Sequence, residues 1–174
     1  MHRLTPRLTL RRPRASDLER LFAIYGDPAT HQFNPFGPLL KIEQAQALLE
    51  KWTRHWDQQG YGQWAIATRA DPEHVIGFGG IDARYFLEVE RINLGYRFAP
   101  DAWGQGYATE LGCAALEFGL IELKLAEIFA IVRPTHQGSI RILEKIGMRV
   151  HGELDDVPGQ APSLVFNIKP LVSH

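Results

Sequence analysis

Trp103-Gly104-Gln105-Gly106-Tyr107-Ala108-Thr109-Glu110 holds the residues best placed to do chemistry. Two glycines one residue apart stand where a strand-like run passes into an apolar helix. Without a Cβ, the backbone there can approach a bulky group closely. The first helical turn leaves amide N–H groups with no intrahelical acceptor. These donors act with the helix dipole to attract anions. The segment carries no lysine, so backbone amides must supply most of the attraction. The chemistry indicated is the holding of a phosphate-bearing cofactor.

Two other phosphate motifs do not fit. The run G-x-x-x-x-G-K-[ST] is absent. The dinucleotide fingerprint needs a third glycine at position 109, which is threonine, and it opens a fold near the first strand rather than two-thirds along. The remaining alternative is a tight turn with no ligand. Cys113 is the sole cysteine, in the apolar segment 111–118 with no histidine beside it. It is expected to be a small core residue rather than a nucleophile. An intrachain disulfide is impossible, and a single thiol is compatible with a reducing compartment.

These residues need elements to position them. Residues 7–12 alternate Leu8 and Leu10 with polar residues and read as a strand. Ser16-Asp17-Leu18-Glu19 reads as a capping box, after which Leu18, Leu21, Phe22 and Tyr25 recur at helical spacing and Gly26 ends the run. Residues 27–40 are rich in proline and form a loop. A second helix is expected over 42–58, with Ala45, Leu48, Leu49, Trp52 and Trp56 as its apolar stripe. Strands follow at 62–69 and 75–80, with 81–86 continuing or folding back from the second. The clearest strand is 91–98, where Ile92, Leu94, Tyr96 and Phe98 alternate with polar or small residues. The glycine loop and a helix to about Glu122 come next, with Leu111, Ala114, Ala115, Phe118 and Ile121 on one face. A strand over 127–133, a short helix over 137–146 closed by Gly147, and strands at 148–154 and 163–169 complete the chain. The strand–helix–strand segment 91–133 calls for a right-handed crossover and parallel or nearly parallel neighbours.

The chain has 174 residues, 45% of them apolar and 22% charged, which fits one globular domain over 1–174 and argues against disorder. A formal net charge of −1 does not suggest nucleic-acid binding. Arg3, Arg7, Arg11, Arg12 and Arg14 make the start basic, and the plain expectation is a solvated strand face. No apolar stretch is long enough to span a bilayer and no signal segment is evident, so no membrane partner and a cytoplasmic location are expected.

The segment Phe98-Ala99-Pro100-Asp101-Ala102-Trp103-Gly104-Gln105-Gly106-Tyr107-Ala108-Thr109-Glu110 resembles the acetyl-coenzyme A loop of the GNAT acyltransferase superfamily. Pro134-Thr135-His136-Gln137-Gly138-Ser139-Ile140-Arg141-Ile142-Leu143-Glu144-Lys145-Ile146-Gly147-Met148 resembles that family's second cofactor motif. With the opening 3–22 and the strands at 61–66 and 75–80, the likeness covers nearly the whole chain and is to the branch that includes the ribosomal-protein N-terminal acetyltransferases. The resemblance implies an α/β (α+β) fold: a mixed, mostly antiparallel sheet of six to seven strands, helices on both faces, and a splayed parallel strand pair. It implies acetyl-coenzyme A as co-substrate and direct transfer of its acetyl group to a primary amine. The pyrophosphate would lie on the amides of Gly104, Gln105, Gly106, Tyr107, Ala108 and Thr109, beside Trp103. The pantetheine arm would pair near Phe98 and Ala99 and approach His136 and Ser139.

Many members of that family place a tyrosine proton donor where this chain has Leu143. Ser139, one turn earlier, resembles the replacement seen in the ribosomal-protein branch. It is equally suited to the first turn of a helix. His136 stands where asparagine is usual, as a helix cap, a contact to the pantetheine arm or, less directly, a base. Where the branch often has a glutamate base, this chain has Asn93. Glu88, Glu90 and Glu110 read as surface carboxylates or helix-dipole partners. The acceptor pocket is expected from the first two helices and their loop, with Phe33 and Phe36 as lining and His31, Pro35, Trp52, Trp56, Trp64 and Tyr85 as further ring surface. The acceptor would be a small-molecule amine or a peptide N-terminus. A coenzyme A-binding regulatory module with little or no turnover is the alternative. No metal ligand set is read, and a homodimer formed through the terminal strand or a sheet edge is possible.

Overall fold

Leu8 and Leu10 are fully buried, and so, nearly, are the alternate residues Thr9 and Arg11. The first long strand is therefore covered on both faces, not solvated on one. The structure, a computed structural model, describes residues 2–172. In chain order the strands are β1 (Arg3–Leu4), β2 (Leu8–Arg11), β3 (Gln63–Thr68), β4 (Asp71–Phe86), β5 (Val89–Phe98), β6 (Ile128–Val132), β7 (Arg149–Leu154) and β8 (Ser163–Ile168). The helices are α1 (Leu18–Tyr25), α2 (Ile42–Gln59), α3 (Tyr107–Glu117) and α4 (Gln137–Lys145). The hydrogen-bonded order is β1-β2-β3-β4-β5-β6-β8-β7. The eight strands among the described residues exceed the six to seven expected. The two-residue β1, too short to show an alternation, adds an edge. Residues 81–86 continue the preceding strand, and the turn to β5 is made by Leu87 and Glu88, both at positive φ. Two left-handed residues suit the twist of a tight hairpin.

Among the described residues only β5 and β6 run parallel, and they meet at a single register position, Asn93 opposite Phe129. β8 lies between β6 and β7, antiparallel to both. The terminal strand is thus internal and offers no edge for a second copy.

The chain forms two compact units. The first contains the residues up to Gly80 together with Tyr96–Tyr107, and the second Ile81–Gly95 together with the residues from Ala108 on. In the first, α1 and α2 cover the sheet. Leu21, Ile24, Ala45, Leu49, Trp52, Val75 and Phe78 make its core, with Tyr25 packed against them. Tyr25 meets Trp52 and Phe78 edge-on, with centroids 5.8 and 6.3 Å apart. Each such fully buried aliphatic or aromatic side chain contributes about 1.5–3 kcal/mol, and together they fix the Tyr25 ring.

Asp17 is buried beneath α1 and accepts two 2.8 Å hydrogen bonds from Arg11 and one from the Arg14 amide. The helix entry is therefore stapled by Asp17 across a 3-10 turn, Ala15–Asp17, and not by a Ser16–Glu19 box. The buried Arg11 needs a carboxylate, and Asp17 is the one drawn in. Arg12 pairs with Asp57 and Arg14 with Glu73 at 3.3 Å, so the basic start of the chain is not a uniformly solvated face.

In the second unit, Phe86, Phe129 and Val165 form a buried cluster. α3 buries Leu111, Gly112, Ala115 and Leu116, and a π-helical turn, Phe118–Glu122, extends it and buries Gly119. A Cβ at Gly112 would lie 2.8 Å from Ile146 Cδ1, and one at Gly119 2.6 Å from Ile128 Cδ1. Close approach through these glycines turns the buried stripe by about one residue. Cys113 is consequently exposed, against expectation, and Ile121 is 68% exposed. Among the described residues no helix is long and apolar enough to cross a membrane.

Candidate active site

β5 ends at Phe98, and Pro100–Ala102 makes a 3-10 turn that delivers the glycine loop. Gly104 has φ +75° and Gly106 φ +82°. Side chains resist both conformations, and a Cβ on Gly104 would meet nothing within 4 Å. The loop is therefore open at Gly104, with its backbone in a form that turns successive amides to one side. Trp103 is half-exposed and donates from Nε1 to the Phe98 carbonyl at 2.9 Å. The Ala99 amide donates to Ile76 at 2.8 Å, so Ala99 is turned to β4. By alternation along the strand, Phe98 directs its own N–H and C=O to the other edge. There the carbonyl already carries the Trp103 bond, which leaves the Phe98 amide as the main-chain donor of the pair on that side.

Arg7 joins this loop, in place of the solvated face expected from the basic start of the chain. Its Nη1 donates to the Gln105 carbonyl at 2.7 Å, and its Cζ lies 4.6 Å from the centre of the Tyr107 ring. A Cβ at Gly106 would sit 3.3 Å from Arg7 Nη2. An exposed guanidinium thus stands beside amides that already favour anions. The pattern of β2 offered no signal for this, because the contact is made 98 residues away in sequence.

Ala108 and Thr109 continue into the first turn of α3, where amides lack intrahelical acceptors. An open left-handed glycine, a helix N-terminus and a cation together fit a pyrophosphate. The parting of β5 from β6 also has an orphan: Asn93 is buried, and its Oδ1 has no hydrogen-bond partner among the described residues.

His136 is the N-cap of α4 but makes no side-chain capping bond. Burial pushes its pKa below the ordinary histidine value, so the imidazole is neutral at pH 7. Ser139 is the third residue of α4 and half-buried, so both share one helical turn. Leu143 is buried in the core beneath α4. Glu88 and Glu90 are exposed on the β4–β5 hairpin. Among the described residues no group of three or more His, Cys, Asp or Glu could hold a metal ion.

In the loop after α1, Phe33 is half-buried and Phe36 is 77% exposed. His31 is buried, with Nε2 2.6 Å from the Tyr25 carbonyl and Nδ1 2.8 Å from Asn34 Nδ2. These distances suit a neutral ring that donates from Nε2 and accepts at Nδ1. Burial and then the charge of Arg97 push its pKa down. Arg97 Nη1 lies 2.7 and 3.2 Å from the two ring nitrogens. An atom that close to both lies over the ring face. The Arg97 Cζ is also 4.6 Å from the centre of the Tyr25 ring. Sequence reasoning passed over Arg97 as the polar partner in an alternating strand.

The sequence matches the acetyltransferase (GNAT) domain family over residues 7–149. It is 28% identical over 150 residues to a Bacillus subtilis (strain 168) protein named as the uncharacterized N-acetyltransferase YoaA, covering 86% of this chain and 84% of that one. Its fold is similar to that of a GNAT-family acetyltransferase from Bacillus anthracis, with TM-score 0.78, 23% identity, and 97% and 98% of the two chains covered. It is also similar in fold to spermidine N-acetyltransferase from Vibrio cholerae, solved with CoA and spermine. There the TM-score is 0.75 and the identity 18%, with 95% and 96% covered.

Proposed function

This chain belongs to the GNAT acetyltransferase family, and on that premise we propose how its residues divide the work of acetyl-CoA-dependent N-acetylation. Acetyl-CoA, when bound, supplies an acyl group activated as a thioester. The amides of Gly104 to Thr109 hold the pyrophosphate, and Arg7 adds positive charge beside them. The Phe98 amide is the donor at the open edge of β5 for the pantetheine arm. Ser139 Oγ donates to the departing sulfur. Asn93 cannot accept a proton from the amine. The neutral His136 imidazole, three residues before Ser139, is the group in that turn able to do so. The acceptor amine enters beside the 27–41 loop, with Phe33 and Phe36 at its margin. The two units work as one acetyltransferase domain, in the cytoplasm.

The observation that carries this reading is the pair of left-handed glycines with a guanidinium beside them. The test is thiol release from acetyl-CoA over a panel of primary amines, run with calorimetry of CoA. Release with at least one amine, together with CoA binding, supports the assignment. CoA binding without release from any amine would favour a binding module, and no CoA binding would remove the loop's role altogether.

A further inference from the structure

We propose that the acceptor amine carries a carboxylate, and that Arg97 binds it through its Nε and Nη2 edge. The proposal rests on the acetyl-transfer reading above and names the substrate class for that site.

Two arginines in the first unit are withdrawn from solvent in different ways. Arg11 is buried and fully matched, with both terminal nitrogens on Asp17 at 2.8 Å. A guanidinium taken from water needs such a partner, because desolvation costs more than isolated contacts return. Arg97 is half-buried, and burial lowers its pKa. Yet it has no ion pair among the described residues, and its Nε and Nη2 donate to no protein acceptor there. The sole acid in the 27–41 loop is Asp27, whose carboxylate accepts from the Ala29 amide at 3.0 Å.

What holds Arg97 is aromatic. Tyr25 lies against one part of it and the neutral His31 ring against Nη1. Ring faces fix the plane of a guanidinium without using its edge donors. Tyr25 is itself locked by Trp52 and Phe78, and His31 by the Tyr25 carbonyl and Asn34. The cation is thus pre-positioned by the core, with one two-donor edge unused. That edge has the spacing of a carboxylate and takes it in two parallel hydrogen bonds. Asn93 Oδ1 is the sole fully buried side-chain nitrogen or oxygen without a partner among the described residues, so the free edge of Arg97 is reachable from solvent. Arg97 packs on His31, inside the 27–41 loop assigned to the acceptor amine, which puts the free edge on the acceptor side of the reaction. A positive group there also disfavours polyamines, whose every charge is of the same sign.

The experiment uses α-, β-, γ- and ω-amino acids, their carboxamides, a neutral alkylamine and spermidine. Acetyl transfer is followed by thiol release. Binding is followed separately, by calorimetry of the same compounds with the acetyl-free protein. The expected result is at least a tenfold preference, in kcat/KM and in Kd, for one or more amino acids over their carboxamides. Arg97→Met, which keeps the length and the packing on Tyr25, should erase that ratio while leaving the Kd for CoA within threefold. Arg97→Lys should restore part of it. Equal handling of acid and amide by the wild type, or preference for spermidine, overturns the proposal. A loss of CoA affinity in Arg97→Met also overturns it, since the arginine would then serve the coenzyme. Should no amine be acetylated, the catalytic reading fails, and the calorimetric ratio still decides whether Arg97 binds carboxylates.

Discussion

Gly106→Val separates the fold from the site. At φ +82° a β-branched residue sits in the left-handed region, at a cost of about 1–2 kcal/mol. The nearest atom to the new Cβ is Arg7 Nη2 at 3.3 Å, the far end of a flexible side chain that can withdraw. Little else is added to the strain. At roughly 2–4 °C per kcal/mol for a chain of this size, Tm falls by roughly 2–8 °C. That is well inside the roughly 5–15 kcal/mol that holds a domain together, so the protein stays folded. Coenzyme binding suffers far more. Relaxing the loop to negative φ turns the amides away, and two charge-assisted hydrogen bonds at about 1.5–3 kcal/mol each are lost. The sum, about 3–6 kcal/mol, corresponds to roughly two to four decades in Kd. Gly104→Ala is the companion, with the same left-handed strain and no protein atom within 4 Å of the new methyl. A fall in its CoA affinity must come from the ligand's own need for that space or from the altered φ. Calorimetry with CoA and a melting curve, run on both variants, give the answer. A Kd for Gly106→Val within threefold of wild type, with an unchanged circular dichroism spectrum, would show that the loop is a turn and nothing more.

Arg7→Ala should weaken CoA about tenfold, since an exposed charge-assisted contact lies at the low end of such bonds, and should flatten the ionic-strength dependence of Kd. Ser139→Ala should lower kcat about a hundredfold, the usual scale for a proton donor, with CoA affinity unchanged in calorimetry. Asp17→Asn strands Arg11 in the interior and should cost about 3–5 kcal/mol in urea unfolding. Burial alone would raise the Asp17 pKa, but the Arg11 hydrogen bonds and the Arg14 amide outweigh it, so the net shift is downward. Its contribution is therefore present above the ordinary carboxylate range and lost as pH falls below it. His31 and His136 also have depressed pKa values, mainly from burial. The unfolded chain binds their protons first, so stability should be full above the ordinary histidine pKa and fall as pH drops below it. Urea midpoints from pH 8 to pH 5.5 measure that slope, and His31→Gln or His136→Gln should flatten it.

The order of the main elements and the glycine turn before α3 were legible in sequence because each rests on local physics, and the family was legible in the two motifs that resemble it. Helical spacing marked α1 and α2, alternation marked β5, and two glycines before a helix start marked a left-handed turn whatever lay around them. Where a contact joined distant residues, the local pattern was silent or misleading. Arg7 and Arg11 looked alike in a basic run. Folding sends one to the glycine loop and the other to Asp17. Cys113 looked buried until Gly112 and Gly119 set which face of α3 packs closely. The last strand looked like an edge and is internal, because β8 returns between β6 and β7. Arg97 is the sharpest case. Its neighbours in sequence say only that it is the polar residue of a strand, and only the assembled core, through Tyr25 and His31, shows a charge held in place with no acid among the described residues to meet it.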